Sequence, residues 1–367
     1  MTAMADPFHQ AYRGRNVLLT GHTGFKGAWL TQWLLELGAR VTGYSLPSPT
    51  TPALFDQLGL ADRIRHVEGD IRDSACWAKT VAEVRPDYVF HLAAQPLVRL
   101  SYSEPIETFD TNVLGTIKVL DGLRQLEQPC SVVCVTTDKC YENREWHYGY
   151  REEDPLGGHD PYSASKAAAE IAVASYRRSF FGTGQVRIGS ARAGNVIGGG
   201  DWALDRIVPD CIRALSSGRA IAVRNRHATR PWQHVLEPLS GYLWQAVKQA
   251  QEARLCGAFN FGPGHDANRT VAQLVVELLR HWPGEWQDET QPDSPHEAGR
   301  LQLSTDKANA LLQWSPVWRF DQAVEATARW YREVHSGACS PLEVTREQIS
   351  AYTEAARRQA VSWALPE

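Results

Sequence analysis

Short apolar runs alternate along the first half of the chain with longer segments in which apolar residues recur every three to four positions. The apolar runs, which predict buried strands, cover 15–20, 41–44, 87–92, 131–136 and 185–192. The periodic segments, which predict helices, include 28–37, 112–126 and 162–180. Strands that alternate with helices are typical of a parallel sheet covered on both faces, so we expect an α/β fold with a doubly wound sheet and right-handed crossovers.

A glycine turn joins the first predicted strand to the first predicted helix. Gly21, Gly24 and Gly27 have the spacing G-x-x-G-x-x-G. In this setting the first glycine permits a tight turn, the second lets a pyrophosphate approach the backbone, and the third lets helix and strand pack closely. The helix N-terminus then offers N–H groups to the anion. The turn predicts a Rossmann sheet that binds a dinucleotide, with contacts from Gly21, Thr23, Gly24, Phe25, Lys26 and Gly27. Lys26 is either a phosphate contact or a solvated residue of the first turn.

The strand that follows lacks one expected feature. It ends at Ser45 without the Asp or Glu that usually holds the ribose 2′-hydroxyl, so residue chemistry alone leaves NAD and NADP open. Asp70, after the third strand, is a candidate for the adenine edge, although an acidic residue there also serves as a helix cap.

Beyond about residue 192 the alternation becomes irregular. Residues 194–201 are glycine-rich, later segments mix short helices with proline-containing loops, and a strand-like piece at 258–261 is expected to return to the main sheet. We therefore predict a dinucleotide-binding domain over 12–190, with a return segment at about 231–262. A smaller, partly discontinuous α/β substrate domain is predicted over 191–230 and 263–355.

Two candidate catalytic residues share one face of a predicted helix. Tyr162 and Lys166 lie four positions apart, and a nearby ammonium favours the phenolate, which can then accept the proton of a substrate hydroxyl. Thr137 and Asp138 follow the predicted strand 131–136, where crevice residues of such sheets cluster. The alternative for these two residues is that they cap a turn.

Composition narrows the possible classes of protein. The chain has 367 residues, 43% of them hydrophobic, and a formal charge of −4, which is typical of a globular protein and argues against nonspecific nucleic-acid binding. The seven cysteines are odd in number and form no C-x-x-C pair, so we expect reduced thiols, no zinc site and a cytoplasmic location. No apolar stretch reaches the roughly 18 residues of a membrane span, and residues 1–15 lack the apolar core of a signal peptide.

Six stretches carry a resemblance to a known family. They read GHTGFKG (21–27), HLAAQPLVR (91–99), TDKCYENREW (137–146), DPY (160–162), RAGNVIGGGDW (192–202) and RPWQHVLEP (230–238). In these stretches the chain resembles the extended short-chain dehydrogenases/reductases and, within them, the nucleotide-sugar 4,6-dehydratases that act on CDP-glucose. A looser similarity covers about 15–350.

The resemblance implies a lyase with an internal redox cycle. Tightly held NAD takes hydride from C4 of CDP-glucose, water is lost across C5 and C6, and the hydride returns to C6 to give the 4-keto-6-deoxy sugar. It also implies cytoplasmic dideoxysugar and O-antigen biosynthesis, and a homodimer or tetramer paired through helices such as 112–126 and 162–180. The cofactor contacts that it adds are Asp70, Ile71, Leu92, Ala93 and Ala94.

One position departs from the related dTDP- and GDP-sugar dehydratases, which have Asp-Glu where this chain has Asp138-Lys139. By position, Asp138 is the acid that protonates the departing C6 hydroxyl, and Lys139 takes the place of the base. A lysine accepts a proton only as the neutral amine, and near pH 7 this requires a depressed pKa. Lys139 therefore either becomes a base or stays charged and stabilises the enolate. Thr137 completes the catalytic set.

The substrate contacts come mainly from the resemblance. Arg230 is the best phosphate clamp, because a guanidinium binds phosphate oxygens bidentately. The other candidates are Gln95, Val98, Asn143, Asn195, Arg206, His296 and Glu297. Two alternatives stay open: an epimerase or reductase of the same family, which needs no elimination acid, and a non-catalytic nucleotide-binding protein.

Overall fold

A computed structural model describes residues 7–182, 184–289 and 300–366. Within them the strands are β1 (Asn16–Thr20), β2 (Arg40–Ser45), β3 (Arg65–Glu68), β4 (Tyr88–His91), β5 (Cys130–Val135), β6 (Val186–Ala193), β7 (Val196–Ile197), β8 (Ile221–Val223), β9 (Thr229–Pro231), β10 (Gln233–His234), β11 (Ala258–Phe261), β12 (Asn268–Thr270) and β13 (Trp286–Asp288). The main sheet has seven strands in the order β11-β6-β5-β4-β1-β2-β3, and every pairing in it is parallel. The predicted α/β fold with a doubly wound parallel sheet is confirmed.

The helices lie between the strands along the chain. They are α1 (Phe25–Glu36), α2 (Leu54–Gln57), α3 (Ser74–Val84), α4 (Val98–Ser103), α5 (Pro105–Phe109), α6 (Thr116–Leu123), α7 (Pro161–Phe180), α8 (Ile207–Ser216), α9 (Leu236–Gln251), α10 (Val271–His281), α11 (Phe320–Ser336) and α12 (Pro341–Arg358). One hydrophobic cluster joins α3, α6 and α7 to one face of the sheet, and a larger one joins α1, α9, α11 and α12 to the other. Both faces are therefore covered, as a parallel sheet requires.

The strand-like piece predicted at 258–261 does return to the main sheet. It forms β11 and pairs with β6, with Ala258 opposite Ser190 and Phe261 opposite Ala193. Outside the main sheet, β7 pairs with β10, β8 with β13, and β9 with β12. The boundaries of the two domains stay a prediction.

The single helix predicted over 112–126 is wrong in its bounds. The chain instead forms α5, a wide π-helical segment over Asp110–Gly115, and α6, which ends at Leu123. The physical reason lies in Asn112, whose buried amide accepts the Gln95 N–H at 2.8 Å and donates to Ser165 Oγ at 2.9 Å. The wide turn directs this side chain inward, where it joins the loop after β4 to α7.

The carboxyl ends of the central strands meet at one edge of the sheet. Thr20 lies opposite His91, and His91 lies opposite Cys134. Side chains that follow β1, β4, β5 and β6 are thereby brought together, although they are far apart in sequence.

The cysteines and the helices bear on two expectations from the sequence, reduced thiols and the lack of a membrane span. All seven cysteines lie in the described part of the chain and none forms a disulfide. Among the helices of residues 7–182, 184–289 and 300–366, none combines the length and the apolar character needed to cross a bilayer.

Candidate active site

The glycine turn after β1 leaves no room for side chains at two of its three glycines. Gly21 has a φ of +73°, and a β-carbon there would lie 2.6 Å from the Ala93 nitrogen. A β-carbon at Gly27 would lie 2.6 Å from His22 Cα, so the turn packs directly on the first turn of α1. These approaches are the ones that the spacing of the motif predicts.

The middle glycine marks the open side of the same turn. Gly24 is the N-cap of α1 and gives it no side-chain cap. A β-carbon at Gly24 would meet only Gly21 O, at 3.5 Å. The start of α1 therefore combines N–H groups that no side chain caps with free room at Gly24, which suits a pyrophosphate.

Two of the other predicted cofactor residues hold neighbouring segments in place. Thr23 is buried, with its hydroxyl 2.9 Å from Ser45 Oγ and donating to Leu46 O at 3.0 Å, so the turn is tied to the end of β2. Asp70 accepts the Arg72 N–H at 2.8 Å and forms an ion pair with the guanidinium at 2.6 Å. The Arg72 hydrogen bonds lower the pKa of Asp70 below its ordinary value.

The remaining predicted cofactor residues lie after β3 and β4. Ile71 is buried, and its side chain occupies the space that a β-carbon at Gly115 would need. Leu92, Ala93 and Ala94 are half-buried directly after β4, and the Ala93 N–H donates to Thr20 Oγ1 at 3.2 Å. The segment after β4 thus borders the glycine turn.

Three of the predicted catalytic residues meet in one group. The Thr137 hydroxyl donates to Asp138 Oδ1 at 3.0 Å, and Thr137 lies near enough to Tyr162 to act on the pKa of its phenol. It also accepts the Lys139 N–H at 3.3 Å, so Thr137 caps the short turn after β5 as well. Burial raises the pKa of Tyr162 to about 12, and Thr137 acts in the opposite direction.

Asp138 is a buried carboxyl group with one uncommitted oxygen. Its side chain is 2% exposed, and Oδ2 has no hydrogen-bond partner among the described residues. Burial raises its pKa, although the charge of Lys139 and the bond from Thr137 lower it. A carboxyl group in this environment retains its proton to a higher pH than an exposed one, as a general acid needs.

α7 places the Y-x-x-x-K pair with a defined orientation. It begins at Pro161 after Asp160, whose carboxylate accepts the Ser163 N–H at 2.8 Å as a helix cap. Lys166 is buried one turn beyond Tyr162, and its ammonium donates to Val135 O at 3.4 Å. Burial lowers the pKa of Lys166 to about 8.

Two other lysines belong to the same region. Lys139 is half-buried directly beside Asp138. Lys26 is also half-buried, and burial together with the charge of Arg206 lowers its pKa to about 8, while the charge of Asp138 opposes that shift. Lys26 is thus a residue of the cleft rather than a fully solvated residue of the first turn.

Three predicted substrate residues lie around this group. Arg206 is held by Asp201 at 2.8 Å and its charge acts on Tyr162. Arg230 is buried, donates to Thr229 O at 2.9 Å, and its charge acts on Asp138. Asn195 is half-buried between β6 and β7.

The other predicted substrate residues differ in their contacts. The Gln95 amide accepts the Leu97 N–H of its own loop at 2.5 Å and donates to Thr108 Oγ1 of α5 at 2.9 Å. The Asn143 amide accepts the Tyr150 hydroxyl at 3.0 Å and donates to Arg300 O at 3.1 Å. Val98 is half-buried at the start of α4. His296 and Glu297 lie outside the described residues.

The sequence analysis missed a buried ion pair below the catalytic group. Arg192 Nη2 lies 2.7 Å from Glu170 Oε2, and both side chains are almost completely buried. The only signal in the sequence is that Glu170 lies four positions after Lys166, on the same face of α7.

Comparison with similar proteins shows to which family the chain belongs. A family model described as GDP-mannose 4,6 dehydratase matches residues 18–327. The chain belongs to this 4,6-dehydratase family. The chain is 44% identical, over 95% of its length and 98% of the relative, to a CDP-glucose 4,6-dehydratase from Salmonella typhimurium. The predicted relation to the extended short-chain dehydrogenases/reductases is confirmed.

Solved structures resemble this member of the 4,6-dehydratase family over nearly its whole length. A dTDP-glucose 4,6-dehydratase from Streptomyces venezuelae, solved with NAD bound, is 25% identical with a TM-score of 0.74 over 89% of this chain and 99% of that one. An epimerase from Methanothermobacter thermautotrophicus is 26% identical with a TM-score of 0.76 over 94% of this chain and 98% of that one. The fold is therefore shared by dehydratases and epimerases.

Proposed function

We propose that the protein is an NAD-dependent CDP-glucose 4,6-dehydratase, which converts CDP-glucose to CDP-4-keto-6-deoxyglucose and water. The observation that carries this proposal is the 44% identity to a CDP-glucose 4,6-dehydratase over 95% of the chain. The site supports it, because an elimination acid, Asp138, is buried close enough to the candidate base Tyr162 for its charge to act on the phenol. A simple epimerase or reductase needs no such acid.

The glycine turn fits NAD. The space over Gly24 and the uncapped N-terminus of α1 suit a pyrophosphate, and β-carbons at Gly21 or Gly27 would collide with backbone. When bound, NAD accepts the hydride released from C4 of the glucose and returns it to C6. The residues that we propose to hold it are Gly21, Thr23, Gly24, Phe25, Lys26, Gly27, Asp70, Ile71, Leu92, Ala93, Ala94, Tyr162 and Lys166.

Tyr162 accepts the proton of the C4 hydroxyl in this proposal. Burial alone would hold its phenol protonated, since it raises the pKa of Tyr162 to about 12. The Lys166 ammonium, one helical turn away on the same helix, stabilises the phenolate by its charge. The tyrosine returns the proton to the C4 oxygen if the ketone is reduced again.

Asp138 donates its proton to the C6 hydroxyl as that group leaves as water. Burial raises the pKa of Asp138, which keeps the proton available. Lys139 acts at C5, where the proton is acidified by the C4 ketone. It either removes this proton or stays charged and stabilises the enolate while another group or water removes it.

Arg230, Arg206 and Asn195 bind the nucleotide sugar in this proposal. Arg230 and Arg206 are buried or half-buried cations beside the catalytic group, which suits a diphosphate. Gln95 and Asn143 contribute by holding their loops, since their amides bond to protein groups. Val98, His296 and Glu297 complete the proposed set.

The broader setting is also a proposal. We infer a homodimer or tetramer in the cytoplasm, with dideoxysugar and O-antigen biosynthesis as the pathway. We also infer a dinucleotide-binding domain over 12–190 with its return segment at about 231–262, and a substrate domain over 191–230 and 263–355. Pairing of two subunits through α5 and α7 is supported by exposed apolar residues on these helices, which are Ile106 and Phe109 in α5 and Ile171 in α7.

Four nucleotide sugars test the proposal in one experiment. The protein is incubated with the CDP, UDP, dTDP and GDP forms of glucose, and the products are separated and identified. We expect CDP-glucose to be converted to a 4-keto-6-deoxy product faster than the other three nucleotide sugars, with no net change in NADH absorbance. A C4 epimer, a net change in NADH, or preference for another nucleotide would contradict it.

A further inference from the structure

A buried carboxylate lies one helical turn beyond the catalytic lysine. Glu170 follows Lys166 by four positions in α7, where side chains at this spacing are neighbours. The Glu170 side chain is 3% exposed and that of its partner Arg192 is 4% exposed. A charged pair buried to this extent is costly unless its hydrogen bonds are satisfied.

All the protein groups that contact this carboxylate are donors. Glu170 Oε1 accepts the Thr136 hydroxyl at 2.5 Å, and Oε2 accepts the Ser190 hydroxyl at 2.8 Å and Arg192 Nη2 at 2.7 Å. Burial acts to raise the pKa of Glu170, but Arg192 and these hydrogen bonds lower it below its ordinary value. Glu170 is therefore a fixed negative charge.

These contacts join the three elements that carry the catalytic group. Thr136 directly precedes Thr137 at the end of β5. Ser190 and Arg192 belong to β6. Glu170 belongs to α7 with Tyr162 and Lys166. One carboxylate thus fixes the relative position of two strand ends and the catalytic helix.

The negative charge of Glu170 favours the protonated form of Lys166. Groups whose charges interact with Lys166 include Glu170, Cys134, Cys140, His91 and Lys26, and Arg192, paired with Glu170 at 2.7 Å, offsets part of the carboxylate's charge. Burial raises the pKa of both thiols and lowers that of His91 to about 3, so these three groups are neutral near pH 7. Glu170 is the one carboxylate in this set, and it opposes the loss of the proton that burial of Lys166 favours.

We propose that Glu170 is a positioning residue that keeps Lys166 protonated during turnover by holding a fixed negative charge on its face of α7. The inference rests on the proposed function, because it assigns to Lys166 a charged role in stabilising the Tyr162 phenolate. It differs from a purely architectural role, in which Glu170 would only hold α7 against β5 and β6.

Charge removal without a change of shape separates the two roles. Glu170→Gln removes the charge and keeps the size of the side chain. Thr136→Val and Ser190→Ala each remove one donor to Glu170 and leave its charge in place. Because Glu170→Gln leaves Arg192 buried without a partner and can impair folding, Glu170→Gln/Arg192→Gln is made as well, and it removes both buried charges.

The titration of Lys166 is read directly by NMR on protein labelled with ¹³C at the lysine ε-carbon. The spectrum has few signals, because the lysines of the chain are 26, 79, 118, 139, 166, 248 and 307. The signal that is missing in Lys166→Arg belongs to Lys166. We expect its midpoint to fall by about one pH unit or more in Glu170→Gln, and to fall by less in the double variant, which also removes the positive charge of Arg192. We expect it to stay in place in Thr136→Val and Ser190→Ala.

Kinetics supply the second measurement. We expect the alkaline limb of kcat to move to lower pH in Glu170→Gln, in step with the NMR midpoint, and KM for CDP-glucose to change less than about threefold. A Lys166 midpoint that is unmoved in folded Glu170→Gln and in the double variant would overturn the inference. A wild-type protein that converts no nucleotide sugar would overturn the proposed function instead, and the NMR titration would still decide the role of Glu170.

Discussion

The backbone of Gly194 lies against the carboxylate of Asp138, so closely that a β-carbon at Gly194 would be 2.6 Å from Asp138 Oδ2. This is the oxygen that has no hydrogen-bond partner among the described residues. Gly194 follows β6 and Asp138 follows β5, so the contact forms only when the two strands lie side by side. Glycine at this position leaves the space in which the acid holds its proton.

Gly194→Ala is therefore expected to reduce kcat by about 100-fold, because the added methyl group displaces the Asp138 carboxyl by a fraction of an ångström or more. Steady-state kinetics with CDP-glucose measure the effect. Gly257→Ala is the matched control, since a β-carbon at Gly257 meets nothing within 4 Å. Equal activity of the two variants would mean that Asp138 does not depend on this contact.

The protonation of Asp138 also predicts how stability changes with pH. Burial raises its pKa in the folded chain above the unfolded value of about 3.9, so the bound proton stabilises the fold fully below that value. This contribution is lost as the pH rises through the folded pKa. Asp138→Asn carries no charge, so we expect it to melt at a higher temperature than wild type at pH 8 and at no higher temperature at pH 4.

Thermal melts of Asp138→Asn at pH 4, 6 and 8 check this sign. Asp56→Asn, at an exposed position in α2, serves as the control and is expected to follow the wild type. Melting temperatures of Asp138→Asn that run parallel to those of the wild type at all three pH values would show that Asp138 is not a buried, protonated acid.

Lys139 is assigned to elimination and not to binding. We expect Lys139→Ala to lower kcat by about 100-fold or more, with KM for CDP-glucose within about threefold of wild type. Lys79→Ala, at a side chain that is 79% exposed, is the control. Loss of affinity with product formed at the normal rate under saturation would assign Lys139 to the binding site instead.

The third glycine of the turn predicts an effect on cofactor binding. A β-carbon at Gly27 would collide with the backbone of Gly21 and His22, so Gly27→Ala pushes the start of α1 away from the turn. We expect the affinity for NAD to fall about tenfold or more, measured by calorimetry on protein freed of cofactor. An unchanged affinity would show that the pyrophosphate does not use this helix N-terminus.

Local patterns were sufficient to predict the fold and part of the site. The glycine turn and the Y-x-x-x-K pair each lie within one short segment, so their spacing alone indicates which residues share a turn or a helix face. The return of 258–261 to the sheet was also predictable, because its apolar residues fit a buried strand. The family resemblance added the roles of Asp138 and Lys139, which spacing does not supply.

Long-range contacts could not be predicted in the same way. The proximity of Thr137 to Tyr162 depends on how α7 packs against the end of β5, and the contact between Gly194 and Asp138 depends on which strands are neighbours. The buried charge of Glu170 has no motif, since a glutamate in a helix is usually exposed. The π-helical turn around Asn112 depends on hydrogen bonds to Gln95 and Ser165 in other segments.

Isotope transfer tests the central claim most directly. CDP-glucose labelled with deuterium at C4 is converted by the protein in unlabelled water, and the product is examined by mass spectrometry and NMR. The account predicts that the deuterium is found at C6 of the 4-keto-6-deoxy sugar. Deuterium retained at C4, or lost to solvent, would contradict it.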